Sequence, residues 1–216
     1  MQVAFLHTLA ANETLFDGFI QRSRLPNFAT VVHHSAPQLL EYASQTGLDE
    51  VLAAQVAQQV LQLEAQGADW IVCTCSSIGR MAEQAQTKHA RVIRVDRPMA
   101  IVASKAKQLT VLAALETTIE PTMSLLAEYP SQLSEQAQVV VIPQAWQHYL
   151  NGKIDTYSQT IADYIVQKCI DDECVVLAQA SMSPALSLLA ETLQARVLTS
   201  PKLCIDFLIA ELGESA

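Results

Sequence analysis

Short apolar segments alternate with longer amphipathic segments along the whole chain, and this alternation limits the folds open to it. Segments with a clear 3.6-residue repeat, such as 50–66, predict helices, and a further helix is predicted over 184–193. Strands that alternate with helices at this spacing favour parallel sheets covered by helices on both faces. The predicted strands cover residues 3–7, 28–32, 70–74, 91–95, 109–115, 138–142, 174–178 and 196–198.

The pattern begins again near residue 105. Residues 90–93, Ala-Arg-Val-Ile, recur as Ala-Arg-Val-Leu at 195–198, and the same offset of 105 residues lays 70–77 over 175–182. Parallel α/β units resemble one another, which is the alternative explanation. We interpret the repeat as two similar parallel-sheet α/β halves related by a pseudo-twofold axis.

This interpretation divides the chain into a first half over 1–104, a second half over 105–200 and a C-terminal helix over 201–216. We expect that helix to pack back on the first half. Ligands of parallel sheets bind beyond the carboxyl ends of the strands, so a ligand cleft is predicted between the halves.

The composition favours a soluble cytoplasmic protein. The formal net charge is −9, and no Lys/Arg-rich run is present, which argues against binding to nucleic acid or to an anionic membrane surface. No apolar run approaches the roughly 20 residues of a membrane span. The start of the sequence reads as a first strand rather than a signal peptide. An odd number of cysteines, five, fits reduced thiols in the cytosol.

Cys75 is the strongest candidate for chemistry because of its place in the pattern. It follows the predicted strand 70–74, and a helix is predicted over 78–86. Backbone N–H groups at the start of a helix stabilise negative charge, so this position favours a thiolate and offers donors to a carboxylate. The alternative is a small apolar residue in a tight turn, with Ser77 as the helix cap.

Hydroxyl side chains also follow the predicted strands. Because the carboxyl ends of parallel strands meet along one edge of a sheet, hydroxyl and N–H groups there make a small cradle for a carboxylate. Helix capping is the alternative role for such residues. The candidates are Thr8, Ser76, Ser77, Thr117, Thr118 and Ser181.

Other polar residues near the strand ends are weaker candidates. His7 ends the first predicted strand and either faces the cleft or lies in the core. Asp96 and Arg97 follow a strand near the site, where an arginine can pair with an anionic substrate.

The sequence contains no Gly-rich phosphate loop, no dinucleotide fingerprint and no zinc-type cluster. We therefore expect neither a metal nor an organic cofactor.

The segment Val-Cys-Thr-Cys-Ser-Ser at 72–77 resembles the Cys-Asn-Thr strand end of the aspartate/glutamate/hydantoin racemase superfamily. Gly-Ala-Asp at 67–69, the segment 92–98 and the Thr-Thr pair at 117–118 fit the same family. The two-half layout extends the resemblance over the whole chain.

The resemblance implies two cysteines that face each other across the cleft, one removing a proton next to a carboxylate and the other returning one. It also implies carboxylate binding by the Ser and Thr residues at 76, 77, 117 and 118. Cys75 matches the first cysteine, but the second half lacks a thiol at the matching place. The gapless repeat puts Ala180 there, and another version of the family motif puts Gln179 there. Gln179 can donate a hydrogen bond but is no base at neutral pH.

These residues lead to two functional hypotheses. The first is a cofactor-independent isomerase or decarboxylase that acts on a small carboxylic acid through a carbanion or enediolate, with Cys75 as its one thiol and without efficient two-base racemisation. The second is a non-catalytic protein that binds a small carboxylate and has lost racemase activity. In both, we expect a homodimer.

Overall fold

The computed structural model describes residues 1–129 and 137–214, and their contacts form two compact units. The first unit contains Met1–Arg97 and Pro201–Ala216, and the second contains Pro98–Ser200. Each unit holds one four-stranded parallel sheet with helices packed on it. The predicted fold class, two parallel-sheet α/β halves, is confirmed. The cleft between the halves and the boundary at residue 104 stay predictions.

In the first unit the strand order is β2-β1-β3-β4. Both central strands, β1 and β3, are almost entirely buried, as expected for parallel strands covered on both faces. The second strand begins at Thr30, two residues later than the sequence pattern predicts. The strands are β1 (Gln2–His7), β2 (Thr30–Ser35), β3 (Trp70–Cys73) and β4 (Arg91–Arg94).

The helices of the first unit cover this sheet. The longest of them, Glu50–Ala65, buries residues spaced along one face. The Asp49 side chain caps its start by accepting a hydrogen bond from the Leu52 N–H at 2.8 Å. Gly67 follows its end with a φ of 98°. The helices are α1 (Ala10–Gln21), α2 (Pro37–Thr46), α3 (Glu50–Ala65), α4 (Gly79–Glu83) and α10 (Ser200–Glu214), and a 3₁₀ turn covers Leu25–Asn27.

The C-terminal helix α10 is anchored to the first sheet by ring and charge contacts. The ring of Phe207 meets the indole of Trp70 edge to face, with 6.0 Å between the ring centroids. The guanidinium of Arg91 lies over the same indole and pairs with Glu211 at 2.7 Å.

The second unit repeats the plan with the order β6-β5-β7-β8. The prediction of one helix over 184–193 is wrong. A 3₁₀ segment covers Ala180–Leu188 around Pro184, and a short α-helix follows it. Because the segment begins at Ala180, Pro184 lies inside it rather than at its first position, and a proline there disfavours a regular α-helix. The elements are α5 (Arg97–Ala103), β5 (Thr110–Ala113), α6 (Ile119–Ala127), β6 (Gln138–Val141), α7 (Ala145–Leu150), α8 (Ile154–Lys168), β7 (Val175–Leu177), α9 (Glu191–Gln194) and β8 (Val197–Thr199), with a 3₁₀ turn over Glu116–Thr118.

Within residues 1–129 and 137–214, no helix combines the length and the apolar character needed to cross a membrane.

Gly79 is required where α4 meets β4. A Cβ atom on Gly79 would lie 2.7 Å from the Cβ atom of Arg94, and the Arg94 side chain is fully buried. We expect Gly79→Ala to lower the free energy of unfolding by about 1–3 kcal/mol, as overpacking does elsewhere. Urea denaturation measures the change.

The matched control is Gly18→Ala in α1. A Cβ atom there would lie 3.4 Å from Nη1 of Arg22, at the tip of a flexible side chain. This variant should gain up to about 1 kcal/mol, because alanine favours a helix interior over glycine. Equal stability of the wild-type protein and Gly79→Ala would contradict the packing argument.

Candidate functional site

The carboxyl ends of β1 and β3 bring the first group of candidate residues together. Thr8 comes directly after β1, and Cys75 lies two residues after β3, at the start of a turn that leads into α4. The Thr8 hydroxyl lies beside the Cys75 thiol. Ser76 and Ser77 continue the turn, and all four side chains are more than nine-tenths buried.

The environment of Cys75 combines burial with hydrogen-bond donors. Burial raises the pKa of the thiol, and the charge of Asp96 adds to this, while the Thr8 hydroxyl and the N–H groups of Ile78 and Ser77 act in the opposite direction. The net shift of the pKa is upward. The thiolate expected from the sequence is therefore not the resting form, and at neutral pH the group is a thiol.

The helix after Cys75 is also shorter than predicted. It begins only at Gly79 and has five residues, whereas the sequence pattern predicts a helix over 78–86. Two N–H groups of the turn, those of Ser77 and Ile78, supply the donors instead of a long helix. Such a turn favours negative charge on the sulfur locally.

Two buried oxygen atoms at this end of the sheet have no hydrogen-bond partner within the described residues. They are Oγ1 of Thr8 and Oδ1 of Asn12. The Thr8 hydroxyl lies close to the thiol of Cys75 without completing a hydrogen bond of its own. Orphaned buried oxygens are rare, so these atoms mark a place where a ligand or a water is expected.

Asn12 is a residue that the sequence analysis missed. It lies in the first turn of α1, and its N–H donates to the Leu9 carbonyl at 3.0 Å. It shares the buried face of the helix with Phe16 and Ile20. The four-residue spacing of Asn12, Phe16 and Ile20 in the sequence could have identified it, because Asn12 is the one polar residue on this otherwise apolar stripe.

A chain of hydrogen bonds runs from the surface to the end of β3. His7 Nδ1 lies 3.0 Å from Thr74 Oγ1, His7 Nε2 lies 2.8 Å from His33 Nδ1, and His33 Nε2 lies 3.1 Å from Asp17 Oδ1. The Thr74 hydroxyl donates to the Leu6 carbonyl at 3.1 Å, so His7 Nδ1 must donate to Thr74. His7 Nε2 then accepts from His33 Nδ1.

His7 is therefore a structural residue held neutral. Burial, followed by the charges of His33 and His34, lowers the pKa of His7 to about 3. Of the two roles considered for it, a core histidine is the one that the structure describes.

Asp96 and Arg97 have partners within the first unit. Arg94 donates to Asp96 through Nε at 2.7 Å and through Nη2 at 2.9 Å, and both side chains are buried. Arg97 donates to Glu83 through Nε and Nη2, at 2.6 Å each. These pairs stabilise the strand ends, and the pairing of Arg97 with an anionic substrate stays a prediction.

In the second unit, the Gln179 amide fastens the strand-end loops to each other. Its Oε1 atom accepts from the Ala114 N–H at 2.9 Å, and its Nε2 atom donates to Thr118 Oγ1 at 3.0 Å and to the Leu115 carbonyl at 3.4 Å. The structure thus brings Gln179 and Thr118 together. Gln179 is a positioning residue here, with its amide already bonded.

Ser181 and Thr117 have different surroundings. Ser181 Oγ lies 3.1 Å from the hydroxyl of Tyr157, which burial keeps neutral by raising its pKa. Tyr157 was not among the predicted residues. Thr117 is exposed in the 3₁₀ turn before α6, and its neighbour Thr118 is buried.

The hydrogen bonds at the strand ends show which residue of the second unit corresponds to Cys75. In the first unit the Thr74 N–H donates to the Leu6 carbonyl, and in the second the Ala178 N–H donates to the Leu112 carbonyl. Cys75 follows Thr74, and Gln179 follows Ala178. This correspondence favours Gln179 over Ala180 as the residue at the place of a second cysteine.

The turn after the first strand of each unit supports the same correspondence. The Asn12 N–H donates to the Leu9 carbonyl, and the Thr118 N–H donates to the Leu115 carbonyl. Leu9 and Leu115 also have nearly the same backbone angles, with φ of −124° and −123°. Asn12 therefore corresponds to Thr118, the residue that binds Gln179.

Among the residues that the structure describes, no group of three or more His, Cys, Asp or Glu side chains is placed to hold a metal ion. All five cysteines are free and buried.

Comparison with known proteins places the fold. The aspartate racemase of Picrophilus torridus superposes with a TM-score of 0.71 at 14% identity over 98% of this chain and 94% of its own. The glutamate racemase of Thermus thermophilus, in complex with β-chloro-D-alanine, gives 0.71 at 15% identity over 99% and 81%. The allantoin racemase of Klebsiella pneumoniae gives 0.66 at 13% identity over 99% and 89%.

No family model and no curated protein matches the sequence. At these identities the structural similarity concerns the fold, and it confirms the resemblance to the racemase superfamily at that level.

The neutral His7 makes stability depend on pH. Its pKa of about 3 in the folded protein lies below the ordinary 6.5, so the unfolded chain binds the extra proton between these values. Stability is therefore retained above about pH 6.5 and falls as the pH drops toward 3, by up to about 1.4 kcal/mol per pH unit.

His7→Asn should flatten the pH dependence of the unfolding free energy between about pH 6 and pH 4. His89→Asn, which changes an exposed histidine of the same unit, is the control and should keep the wild-type slope. Equal slopes for the wild-type protein and His7→Asn would contradict the assignment.

Proposed function

We propose that this protein is a cofactor-independent enzyme that acts on a small carboxylic acid, with the Cys75 thiol as the acid that protonates a carbanion or enediolate. The observation that carries the proposal is the environment of Cys75. Burial keeps the sulfur protonated at rest, while the Thr8 hydroxyl and the N–H groups of Ser77 and Ile78 can donate hydrogen bonds to the thiolate that forms when the proton leaves.

Decarboxylation of a malonate-type diacid fits this environment. Cleavage of the carbon–carboxylate bond releases CO₂, and its electron pair stays on the substrate carbon, where the remaining carboxylate delocalises it as an enediolate. That carbon takes the proton of the Cys75 Sγ–H group, and the electron pair of the S–H bond stays on sulfur. A proton from the solvent then returns to the thiolate, so that the diacid dianion and one H⁺ give the monoacid anion and CO₂.

In this scheme Thr8, Ser77 and Ile78 stabilise the thiolate. The Thr8 hydroxyl and the two N–H groups stabilise the thiolate in the second half of the step, where the charge has moved to sulfur. The two N–H groups are fixed by the turn, and donors that are already oriented cost no reorganisation during the reaction. Isomerisation through addition of the same thiol to a double bond uses the same groups and stays a second form of the proposal.

The substrate carboxylate requires donors of its own. We assign this role to Ser76, Ser77, Thr117 and Thr118, as the resemblance implies. The unpartnered Oδ1 atom of Asn12 suits a ligand that carries a hydrogen-bond donor.

Efficient two-base racemisation does not fit the second unit. Inversion needs an acid and a base on opposite faces of one carbon, and proton transfer by each positioned group is worth about 10²–10⁴-fold. The residue that corresponds to Cys75 is Gln179, whose amide is already bonded to the β5–α6 loop. A glutamine cannot take the place of a thiolate as the base.

A carboxylate-binding protein without chemistry is the second candidate. The raised pKa of Cys75 and the lost second thiol favour it, whereas binding alone does not explain why donors surround the sulfur.

Five free cysteines are compatible with the cytoplasm, which we propose as the location together with a homodimeric state.

A panel of α,α-disubstituted malonates tests the proposal. We expect conversion of at least one member to the monoacid, followed by NMR, and a loss of about 10²-fold or more in Cys75→Ala, because a positioned proton donor is removed. Cys174→Ala is the matched control, since Cys174 is equally buried, at 8% exposure each, and lies in the other unit.

Turnover that survives in Cys75→Ala would overturn the catalytic assignment. Small carboxylates that raise the melting temperature without any turnover would instead identify the binding protein, because ligands that bind the native state stabilise it.

A further inference from the structure

The first unit contains a groove formed by residues that have no part in the site described above. It lies between the end of α1, the 3₁₀ turn after it and the C-terminal helix α10. Its volume is about 830 Å³, which is within the usual range of small-molecule sites.

The walls of the groove are apolar and partly aromatic. Phe19 and Phe28 contribute ring surfaces from the first segment of the chain, and Ile205, Ile209 and Ala210 contribute aliphatic surface from α10. Two ring faces beside aliphatic side chains suit a flat apolar body better than a polar one.

The charges around the groove are mainly positive. Arg22, Arg24 and Lys202 line it together with one carboxylate, that of Asp206, which pairs with Lys202 at 2.5 Å. The whole chain has only 13 Lys and Arg residues and a net charge of −9, so three cations in one groove are a local reversal of the overall charge. This reversal favours a ligand with negative charge.

Arg22 lines the groove with an exposed side chain that lies over a ring of the wall. Its guanidinium carbon lies 5.4 Å from the centroid of the Phe19 ring. Gly18 leaves room for this arrangement, because a Cβ atom there would lie 3.4 Å from Nη1 of Arg22. A guanidinium with one face on a ring keeps its N–H edge available for a carboxylate.

From the apolar walls and the reversed charge together, we infer that this groove binds an amphipathic anion, a flat apolar body that carries one carboxylate. The body lies between the phenylalanine rings and α10, and the carboxylate is oriented to Arg22 and Arg24. This site is independent of the proposed function and makes no use of Cys75.

Three naphthalene derivatives with the same apolar body test the inference. Isothermal titration should show that 2-naphthoate binds at least tenfold more tightly than 2-naphthol, and that 2-naphthylmethylamine binds most weakly. Arg24→Glu should weaken naphthoate at least tenfold and leave naphthol unchanged. Ala210→Trp, which fills the groove, should weaken both.

Two controls separate the groove from other sites. Lys168→Glu makes the same change of charge on an exposed position of α8 and should leave all affinities unchanged. A naphthoate bound at the Cys75 turn would be displaced by a small malonate and would not respond to Ala210→Trp.

Equal affinity of the three compounds, or naphthoate binding unaffected by Ala210→Trp, would overturn the inference. Self-association that is lost in Arg24→Glu, without any naphthoate binding, would assign the groove to a second copy of the chain and would also overturn it. Sedimentation velocity measures that outcome.

Discussion

One buried ion pair fixes the turn that carries Cys75. The Arg94 guanidinium binds both carboxylate oxygens of Asp96 and donates to the carbonyl of Ser76 at 3.2 Å, with both charged side chains removed from solvent. Gly79 permits this close approach by lacking a side chain. Removing either charge would leave the other buried and uncompensated, which costs several kcal/mol.

Burial also determines the acid–base character of Cys75. The environment that requires the charges of Arg94 and Asp96 to be paired also withdraws the thiol from water. A thiol withdrawn from water resists ionisation, so the sulfur starts as a proton donor. The donors around it stabilise negative charge once it forms on the sulfur. A resting thiolate would suit proton removal, whereas this arrangement suits proton delivery, and the proposed reaction follows from that difference.

The fold and the place of Cys75 could be predicted from the sequence, because both depend on local patterns. The alternation of apolar and amphipathic segments reports directly on strands and helices, and Cys75 directly follows one of the clearest predicted strands. The upward shift of its pKa could not be predicted, since burial arises from segments distant in sequence. The same holds for the contact of His7 with His33, which joins neighbouring strands.

The correspondence between the units shows why a repeat identified from matching sequence letters can select a residue one position away from the structural equivalent. Leu6 corresponds to Leu112, an offset of 106, while Thr74 corresponds to Ala178, an offset of 104. The gapless comparison applies the single offset of 105, taken from the matching letters at 90–93 and 195–198, and selects Ala180. The hydrogen bonds at the strand ends select Gln179, whose role as a fastener of the β5–α6 loop also depends on contacts over more than 60 residues.

The central claim is that one thiol, without a partner of the same kind, carries the chemistry. The most direct measurement is deuterium exchange at the α-carbon of L-aspartate, L-glutamate and hydantoins in D₂O, followed by NMR and chiral separation. The account predicts no rapid exchange with inversion, since Gln179 cannot act as the second base. Rapid α-deuteration with inversion of configuration would contradict it.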